Sequence, residues 1–402
     1  MLARKSVKQG FVPPSSVSRL MRSFRLMCND AIRIGLAADA SSLKRLSKLS
    51  YGELKKYDDI PGYYKLCAIS KAAGILASRK KTIRRGFPTK QPYLSKPILV
   101  SCYGFKIDLE NRSLLIPLGD RRFESIPLNA HTLTVLSQPG ATVRSFTTTE
   151  RSLSLCIAKE VEESPVEGMV GVDRNLRNVT AGNAERLTYY DVTKIVEITE
   201  TTRRIVRSFK RNDVRIRMRL AAKYGQRNQE RVRQILNRVS KNIVTEARRN
   251  KRAIAFEEIG GIRKLYRKGN GQRKSFRGLM NSWPFHELKR QVEYKAAWEG
   301  VPVVTLSVKE TKGTTMDCPR CGERLQAAIR GDARHHRQLW CQKCERWEDR
   351  DLVAVLNISR RGWVRFAQSK GEGEAGEAVK RNETRTLILR VDASKLSHPA
   401  KT

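Results

Sequence analysis

The sequence is poor in acidic residues and lacks any long apolar run. Its 402 residues include 40 Asp and Glu against 80 Lys and Arg, so the formal net charge is +40. An imbalance of this size excludes a generic metabolic enzyme as the default interpretation. No stretch reaches the 18 apolar residues of a membrane span, and residues 1–16 contain no apolar segment typical of a signal peptide. We therefore expect a cytoplasmic protein without a membrane partner.

Hydrophobic residues nevertheless make up 40% of the chain, which is enough for a real core at this length. The length predicts two or three domains. A charge of +40 repels itself unless a polyanion neutralises it, and nucleic acid is the commonest such partner. A generic adhesive surface and an anionic membrane face remain open as alternatives.

The first half of the chain contains both helical and strand patterns. Residues 17–85 repeat apolar side chains at three- and four-residue spacings, whereas residues 97–161 alternate apolar and polar side chains. Within the second segment, residues 105–118 contain a polar turn and predict a β-hairpin. We therefore expect a small β domain with a helical segment in it or before it.

The second half alternates strands with helices. The strand 169–172 ends at Asp173 and is predicted to continue as a meander, and the strand 253–256 is followed by Glu257. Residues 201–252 carry 18 Lys and Arg but only 3 acidic residues, so these helices are predicted to face a polyanion. The Gly- and Glu-rich segment that follows residue 361 predicts a flexible tail.

The eight cysteines fall into two groups. Four lie singly and are predicted to be small buried side chains: Cys28, Cys67, Cys102 and Cys156. The others form two C-x-x-C pairs separated by 19 residues, the spacing of a zinc ribbon: Cys318, Cys321, Cys341 and Cys344. Four thiolates complete the zinc shell, so the ion would be structural; two disulfides or chance spacing are the alternatives. His335 and His336, between the pairs, are predicted to be exposed and not ligands.

Three carboxylates occupy positions from which they can meet. Asp173 and Glu257 follow strands, and Asp351 opens a predicted helix. Clustered like charges are costly unless cations occupy them, so the natural occupants are two Mg²⁺ or Mn²⁺ ions roughly 3.5 to 4 Å apart, which promote phosphodiester hydrolysis. Taken singly, each acid has another explanation, namely a turn for Asp173, a surface ion pair for Glu257 and a helix N-cap for Asp351.

The order of several motifs resembles that of the TnpB family. The motifs are Gly171–Asn175, Ile254–Ile259, Trp283–Phe285, Leu288, Glu293–Ala296, the two cysteine pairs, Asp349–Asp351 and Asn357–Ile358. TnpB proteins are transposon-encoded RNA-guided DNA endonucleases and are similar to compact type V CRISPR nucleases. The resemblance covers residues 166–361 in detail and the N-terminal half only by layout.

The resemblance implies an α/β multidomain protein built around an RNase H-like RuvC nuclease domain. It implies a β-barrel-like wedge domain at residues 1–14 and 86–165, a helical recognition domain at 15–85, the RuvC domain at 166–310 and 346–361, an inserted Cys₄ zinc ribbon that binds target nucleic acid at 311–345, and a flexible tail at 362–402. Asp173, Glu257 and Asp351 are then the catalytic ligands of the Mg²⁺ ions, and Glu258 and Asp349 are only their neighbours.

The nucleic-acid contacts predicted on the basic helices are Lys71, Arg79, Lys80, Arg84, Arg203, Arg207 and Arg211. Two residues depart from the family pattern. Asn175 stands where many members have Gly, which is tolerable because Asn accepts left-handed backbone conformations. Val353 stands where the family usually has Asn, so we expect the loss of a polar contact there.

The function implied is Mg²⁺-dependent cleavage of double-stranded DNA beside a short recognition motif, directed by a guide RNA from a transposon end. A compact type V CRISPR effector is an alternative, although the small size favours the transposon protein. A non-cutting RNA-guided binder is a second alternative, but it predicts the loss of an acid and all three are present. A third is a zinc-ribbon nucleic-acid-binding protein, which predicts binding that does not depend on Mg²⁺.

Overall fold

The chain forms two compact units, residues 2–160 and Met1 with residues 161–402. The structure, a computed structural model, describes residues 1–209, 214–260, 265–328, 337–370 and 386–396. The division falls a few residues before the boundary that the change of sequence pattern predicts. The finer domain limits within the units stay predictions.

The first unit combines helices with two antiparallel sheets. Its helices are α1 (Ser15–Ala37), α2 (Leu43–Ser50), α3 (Gly62–Arg84) and α4 (Ala130–Leu136), with a 3₁₀ turn at Glu53–Lys56. Its strands are β1 (Leu2–Gly10), β2 (Ile98–Ser101), β3 (Lys106–Asp108), β4 (Ser113–Gly119), β5 (Arg122–Pro127), β6 (Thr142–Thr149) and β7 (Ser152–Glu160). The sheet orders are β1-β7-β6-β2 and β3-β4-β5.

The β3–β4 pair confirms the predicted hairpin. The segment before Pro13, predicted only as a basic stretch, forms β1 and pairs antiparallel with β7. The helices and strands of this unit also contact each other directly, since the hydroxyl of the fully buried Tyr64 in α3 donates to the carbonyl of Pro117 in β4 over 3.0 Å. A buried tyrosine hydroxyl needs such a partner, so this bond joins the predicted helical and β segments.

The second unit contains a six-stranded sheet and a small three-stranded sheet. Its strands are β8 (Gly168–Arg174), β9 (Asn178–Gly182), β10 (Arg186–Asp191), β11 (Arg252–Glu257), β12 (Val303–Leu306), β13 (Gln326–Ala327), β14 (Gln338–Cys341), β15 (Arg346–Asp349) and β16 (Leu387–Asp392). Its helices are α5 (Thr193–Ser208), α6 (Val214–Arg249), α7 (Lys274–Ser282), α8 (Phe285–Glu299) and α9 (Arg350–Ser369).

The large sheet has the order β12-β11-β8-β9-β10-β16. Strands β8, β9 and β10 are antiparallel neighbours, which confirms the predicted meander. Strand β11 runs parallel to β8, and β12 runs parallel to β11. Parallel neighbours end at the same edge of a sheet. The residues that close β8 and β11 therefore lie side by side.

Helices cover both faces of this sheet. Ile254 and Phe256 belong to a core cluster with apolar residues of α6 and α8, whereas Ala253 and Ala255 pack in a second cluster with Ile358 of α9. This division follows from the period of two in a strand, which sends successive side chains to opposite faces. The strand is thus apolar throughout because neither of its faces is exposed.

Two glycines allow α9 to approach the sheet closely. A Cβ atom on Gly171 would lie 2.3 Å from the carbonyl oxygen of Val355, and one on Gly362 would lie 2.4 Å from the Cβ atom of Ala255. Any larger side chain at either position would push the helix away from the sheet. This packing matters for function because α9 carries Asp351.

The C-terminal region differs from the predicted flexible tail at residues 362–402. Helix α9 continues to Ser369, since Gly362 serves as a packing residue and not as a helix end. Strand β16 then pairs in parallel with β10 and extends the large sheet. An edge strand offers unpaired backbone groups to any extended segment, which explains how a segment beyond the Gly- and Glu-rich stretch joins the fold. Residues 371–385 and 397–402 lie outside the described residues.

The helix predicted to start at Asn281 and Ser282 also differs, because these two residues end α7 and the next helix begins at Phe285. Gly300, with a φ of 74°, caps the end of that helix in the left-handed conformation. Among the helices within the described ranges, we find no apolar segment long enough to cross a membrane.

Candidate acidic site and cysteine cluster

Three elements of the second unit bring the predicted acids to one place. Asp173 is the penultimate residue of β8, Glu257 is the last residue of the parallel neighbour β11, and Asp351 lies in the first turn of α9. Val172 pairs with Phe256, so the next residues along each strand, Asp173 and Glu257, are adjacent. Asp351 joins them because α9 packs across β8.

Amide side chains connect the carboxylates. The Asn175 amide donates to Oδ2 of Asp173 over 2.7 Å and to Oδ1 of Asp351 over 3.2 Å. Asn178 donates to Oδ2 of Asp351 over 2.9 Å, and the Arg337 guanidinium lies 2.6 Å from the same oxygen. The buried Asp351 carboxylate is therefore fully hydrogen-bonded, as buried charges must be.

The electrostatics of the site show that the acids interact. Burial, followed by the charges of Glu257 and Asp351, raises the pKa of Asp173 to about 7, whereas the hydrogen bond from Asn175 lowers it. Carboxylates that share a site raise one another's pKa because a second negative charge is unfavourable beside the first. The cluster therefore disfavours full ionisation without a cation.

Glu257 is held by both its side chain and its backbone. Its Oε1 atom accepts a hydrogen bond of 2.7 Å from the hydroxyl of Thr314. Its carbonyl oxygen accepts from the buried guanidinium of Arg174, which also donates to the carbonyl of Phe285 over 2.9 Å and lies above the Phe256 ring. Arg174 thus ties the ends of β8 and β11 to the start of α8.

The predicted neighbours have separate roles. Asp349 is the N-cap of α9, where its side chain accepts from the backbone N–H groups of Asp351 and Leu352. It also accepts a hydrogen bond of 2.6 Å from the Tyr189 hydroxyl. The alternative that Asp351 itself caps the helix is therefore wrong, and its carboxylate is available to the acidic site.

The two departures from the family pattern have different consequences. Asn175 supplies the amide that bridges Asp173 and Asp351, so this position adds a hydrogen-bond donor to the site. Val353 is fully buried and packs with Cys318 and Cys341 of the ribbon. Apolar packing against the ribbon therefore occupies the place of the polar contact expected there.

The oxygen donors of the acidic site suit a hard divalent cation such as Mg²⁺. Its carboxylates are spread more widely than the cysteines, because within the described ranges only the four cysteines have ligand atoms that all lie within 4.8 Å of one another. The raised pKa of Asp173 shows that its neighbours already oppose its charge. A cation would draw the carboxylates together by removing this repulsion.

The four cysteines form a cluster that can hold a metal such as zinc. The Sγ atoms of Cys318 and Cys344 are 3.9 Å apart, and those of Cys321 and Cys341 are 3.5 Å apart. Zn–S bonds of about 2.3 Å give a tetrahedral edge of about 3.8 Å, whereas a disulfide needs about 2.05 Å. The spacing therefore favours a tetrahedral metal over the disulfide alternative. His335 and His336 lie outside the described residues.

The predicted nucleic-acid contacts of the first unit lie on α3. Lys71 and Arg84 are exposed, and Lys71 lines a groove of about 730 Å³. Arg79 is half-buried. Lys80 is engaged in an ion pair with Asp39, with 3.0 Å between Nζ and Oδ2. Three of the four side chains thus have no ion pair that would compete with a phosphate group in the described part of the chain.

The predicted contacts on α5 differ from one another. Arg203 donates to the carbonyl of Gly278 and to the Ser282 hydroxyl, so it links α5 to α7 instead of facing solvent freely. Arg207 is exposed. Arg211 lies outside the described residues. The helix pair therefore uses one of its predicted phosphate contacts to join its own elements.

Sequence reasoning did not find four residues that contact the acids. Asn178, Arg337 and Thr314 lie far from their partners in sequence, and a polar residue in a strand or turn gives no signal of its own. Arg174 belongs to a motif that the sequence did single out, but its buried position at the strand end becomes evident only from the sheet.

Comparisons with known proteins agree with this architecture. The model of the Cas12f1-like TNB domain family matches residues 285–358, which include the ribbon and Asp351. A TnpB-like protein of Methanocaldococcus jannaschii is 29% identical over 220 residues, which cover 52% of this chain and 74% of the relative.

The cryo-EM structure of a Cas12f1–sgRNA–target DNA complex contains a chain with the same fold. Its TM-score is 0.57 at 14% identity, and the alignment covers 86% of this chain and 83% of that chain. The domain match, the TnpB-like relative and the shared fold together identify this chain as a member of the TnpB family.

Proposed function

We propose that the protein is an RNA-guided, Mg²⁺-dependent DNA endonuclease encoded by a transposon, which cuts double-stranded DNA beside a short recognition motif. The observation that carries this proposal is the convergence of Asp173, Glu257 and Asp351 at one edge of the large sheet in a TnpB family chain. The family consists of RNA-guided nucleases, and three acids at adjacent strand ends and a helix start support a RuvC-type site.

The residues of the site would divide the work as follows. Asp173, Glu257 and Asp351 would hold two Mg²⁺ ions, which activate water and stabilise the leaving oxygen in phosphodiester hydrolysis. Asn175 and Asn178 orient the Asp351 carboxylate through its two oxygens. These hydrogen bonds fix the ligands before the substrate arrives, so little reorganisation is required during the reaction.

Exposed basic residues support nucleic acid as the partner. The first half of α6 has no buried residue before Val232 among those described, and it carries six exposed basic side chains. These are Arg215, Arg217, Arg219, Lys223, Arg227 and Arg231. Such a helix binds phosphate backbones without reading bases, which suits a protein whose sequence specificity comes from a guide. The Cas12f1 protein that shares the fold is itself in complex with sgRNA and target DNA.

The ribbon would contribute structure and not chemistry. Four cysteine ligands leave no open position for water on a zinc ion. Val353 packs against two of the cysteines, so a bound zinc would support the first turn of α9 and the Asp351 carboxylate that lies there.

The test is to purify the protein at moderate salt, sequence the RNA that accompanies it and measure cleavage of a plasmid that carries the matching target. We expect one RNA with a constant structured part, and cleavage that requires Mg²⁺. Asp173→Asn and Glu257→Gln should each reduce cleavage by about 10³-fold, because the stabilisation from the metal ions is worth several kcal/mol.

Other outcomes separate the alternatives. A guide that originates from a repeat array would identify a type V CRISPR effector, and target binding without cleavage would identify a guided binder. Unrelated RNA and DNA that dissociate as salt rises would identify a zinc-ribbon nucleic-acid-binding protein. Cleavage that survives Asp173→Asn would contradict the proposed site. Glu258→Gln is the matched control, because this residue adjoins the triad in sequence but is not a predicted ligand.

A further inference from the structure

One oxygen of the Glu257 carboxylate is already occupied by a protein hydrogen bond. The Thr314 hydroxyl donates to Oε1 over 2.7 Å, and Thr314 is 3% exposed. The hydroxyl has a single hydrogen, and the alternative acceptor, the carbonyl of Thr311, is farther away at 3.0 Å. A hydrogen bond to a charged acceptor is the stronger of the two. Glu257 is thus held with Oε1 engaged.

Helix α9 holds Thr314 in this position. The amide of Asn357, which is 5% exposed, donates to the carbonyl of Thr314 over 2.9 Å and to that of Asp317 over 2.8 Å. One turn further along, Arg361 donates to two backbone carbonyls of the same segment and to the Asp317 carboxylate. The segment 310–317 is therefore anchored to the helix that begins with the acidic site.

This arrangement gives one helix control over two of the three acids. Asp351 lies on α9 itself, and Glu257 is reached from α9 through Asn357 and Thr314. A change in the position of the segment 310–317 would move the Thr314 hydroxyl and release the Glu257 carboxylate to rotate.

The occupied oxygen affects which cation the site accepts. Mg²⁺ requires near-octahedral coordination at about 2.0–2.1 Å and usually takes one oxygen from each carboxylate. Ca²⁺ accepts about six to eight ligands and often binds both oxygens of a carboxylate. With Oε1 bound to Thr314, Glu257 presents Oε2 as its single free ligand atom.

We propose that Thr314 is a specificity-determining positioning residue that holds Glu257 as a single-oxygen ligand and thereby favours Mg²⁺ over Ca²⁺. The inference rests on the proposed function, because it assumes that Glu257 binds a divalent cation. It assigns to a residue of the ribbon's leading segment a role in the choice of metal at the acidic site.

The experiment compares Mg²⁺ and Ca²⁺ binding to the full-length, zinc-loaded protein by calorimetry. Asp173→Asn identifies the heat that belongs to the acidic site. Thr314→Val keeps the shape of the side chain but removes the hydroxyl, and we expect it to shift the ratio of the two dissociation constants about tenfold toward Ca²⁺, the worth of one hydrogen bond to a charge. Thr314→Ser should restore the wild-type ratio, because it keeps the donor.

Thr311→Val is the matched control, since it removes a hydroxyl that bonds only to the Val308 carbonyl in the same segment. An unchanged Ca²⁺ to Mg²⁺ ratio in Thr314→Val would overturn the inference. If Thr314→Val does not fold by circular dichroism, Thr314→Ala replaces it and must show the same shift. Absence of an Asp173-dependent heat in the wild-type protein would instead overturn the metal site of the proposed function.

Discussion

The Arg337 guanidinium lies 2.6 Å from the Oδ2 atom of Asp351. Arg337 directly precedes strand β14 of the ribbon, whereas Asp351 is in the first turn of α9, so this ion pair connects the ribbon to the acidic site. The Asp351 side chain is 8% exposed and that of Arg337 is 52% exposed. The guanidinium therefore neutralises the carboxylate from the solvent side, where a cation would approach.

Removal of this guanidinium should strengthen metal binding. We expect Arg337→Gln to raise the Mg²⁺ affinity of the protein without nucleic acid about fivefold, because a cation then meets no competing charge worth about 1 kcal/mol. Calorimetry measures the effect. Arg346→Gln is the control, since Arg346 is on the same hairpin and pairs with Glu348 instead. Equal affinities for both variants would contradict competition at Asp351.

Metal binding should depend on pH through Asp173, whose pKa is raised to about 7. Between its ordinary value of 3.8 and about 7 the folded protein retains a proton that the unfolded chain has lost. Without metal, this acid therefore stabilises the fold less as the pH rises through that range. A cation must displace the proton, so we expect the Mg²⁺ affinity to fall about tenfold per pH unit below 7.

A calorimetric titration from about pH 5.5 to 8.5 measures this dependence. Because Asn does not titrate, residual Mg²⁺ binding by Asp173→Asn should be much less sensitive to pH in this range. An equally steep dependence in the variant would assign the proton to another group.

Removal of zinc should loosen the start of α9, because Val353 packs with Cys318 and Cys341. We expect chelation, or Cys318→Ser, to lower Tm by at least about 5 °C, since structural zinc contributes folding free energy directly. Thermal unfolding followed by circular dichroism, with the zinc content measured in parallel, provides the test. Cys102→Ser, an exposed cysteine of the first unit, is the control. A metal-free protein with an unchanged Tm would contradict a structural zinc.

Arg203 and Arg207 should respond differently to the same change. Arg203→Ala removes the hydrogen bonds to Gly278 and Ser282 and should lower the free energy of unfolding by about 1–2 kcal/mol. Arg207→Ala should leave stability nearly unchanged but weaken nucleic-acid binding and reduce its salt dependence by about one phosphate contact. Chemical denaturation and binding titrations at several salt concentrations separate the two effects. A loss of stability in both variants would contradict this assignment.

The adjacency of Asp173 and Glu257 was predictable from the sequence because each follows a strand, and parallel strand ends share an edge. The cysteine spacing likewise predicted a metal cluster before any fold was known, since ligand spacing is a local property. Thr314 and Asn178 were not predictable in this way. Their roles depend on which element packs beside the acids, and neither residue type announces such a contact.

The tail shows the same limit from the opposite side. A Gly- and Glu-rich stretch correctly marks an interruption of regular structure, but it does not reveal that β16 has a free edge at β10 to join. Gly362 resembles a helix end in the sequence, whereas in the fold it allows α9 to pack against Ala255.

The sequence by itself determined the charge, the strand and helix periods, the cysteine cluster and the three acids, because these depend on composition and short spacing. Tertiary structure alone decided that Asn175 bridges two acids, that Arg203 joins two helices and that Thr314 restrains Glu257. These contacts join residues distant in sequence or depend on how separate elements pack. Whether a polar side chain meets water, a phosphate group or another part of the chain therefore depends on the assembled fold.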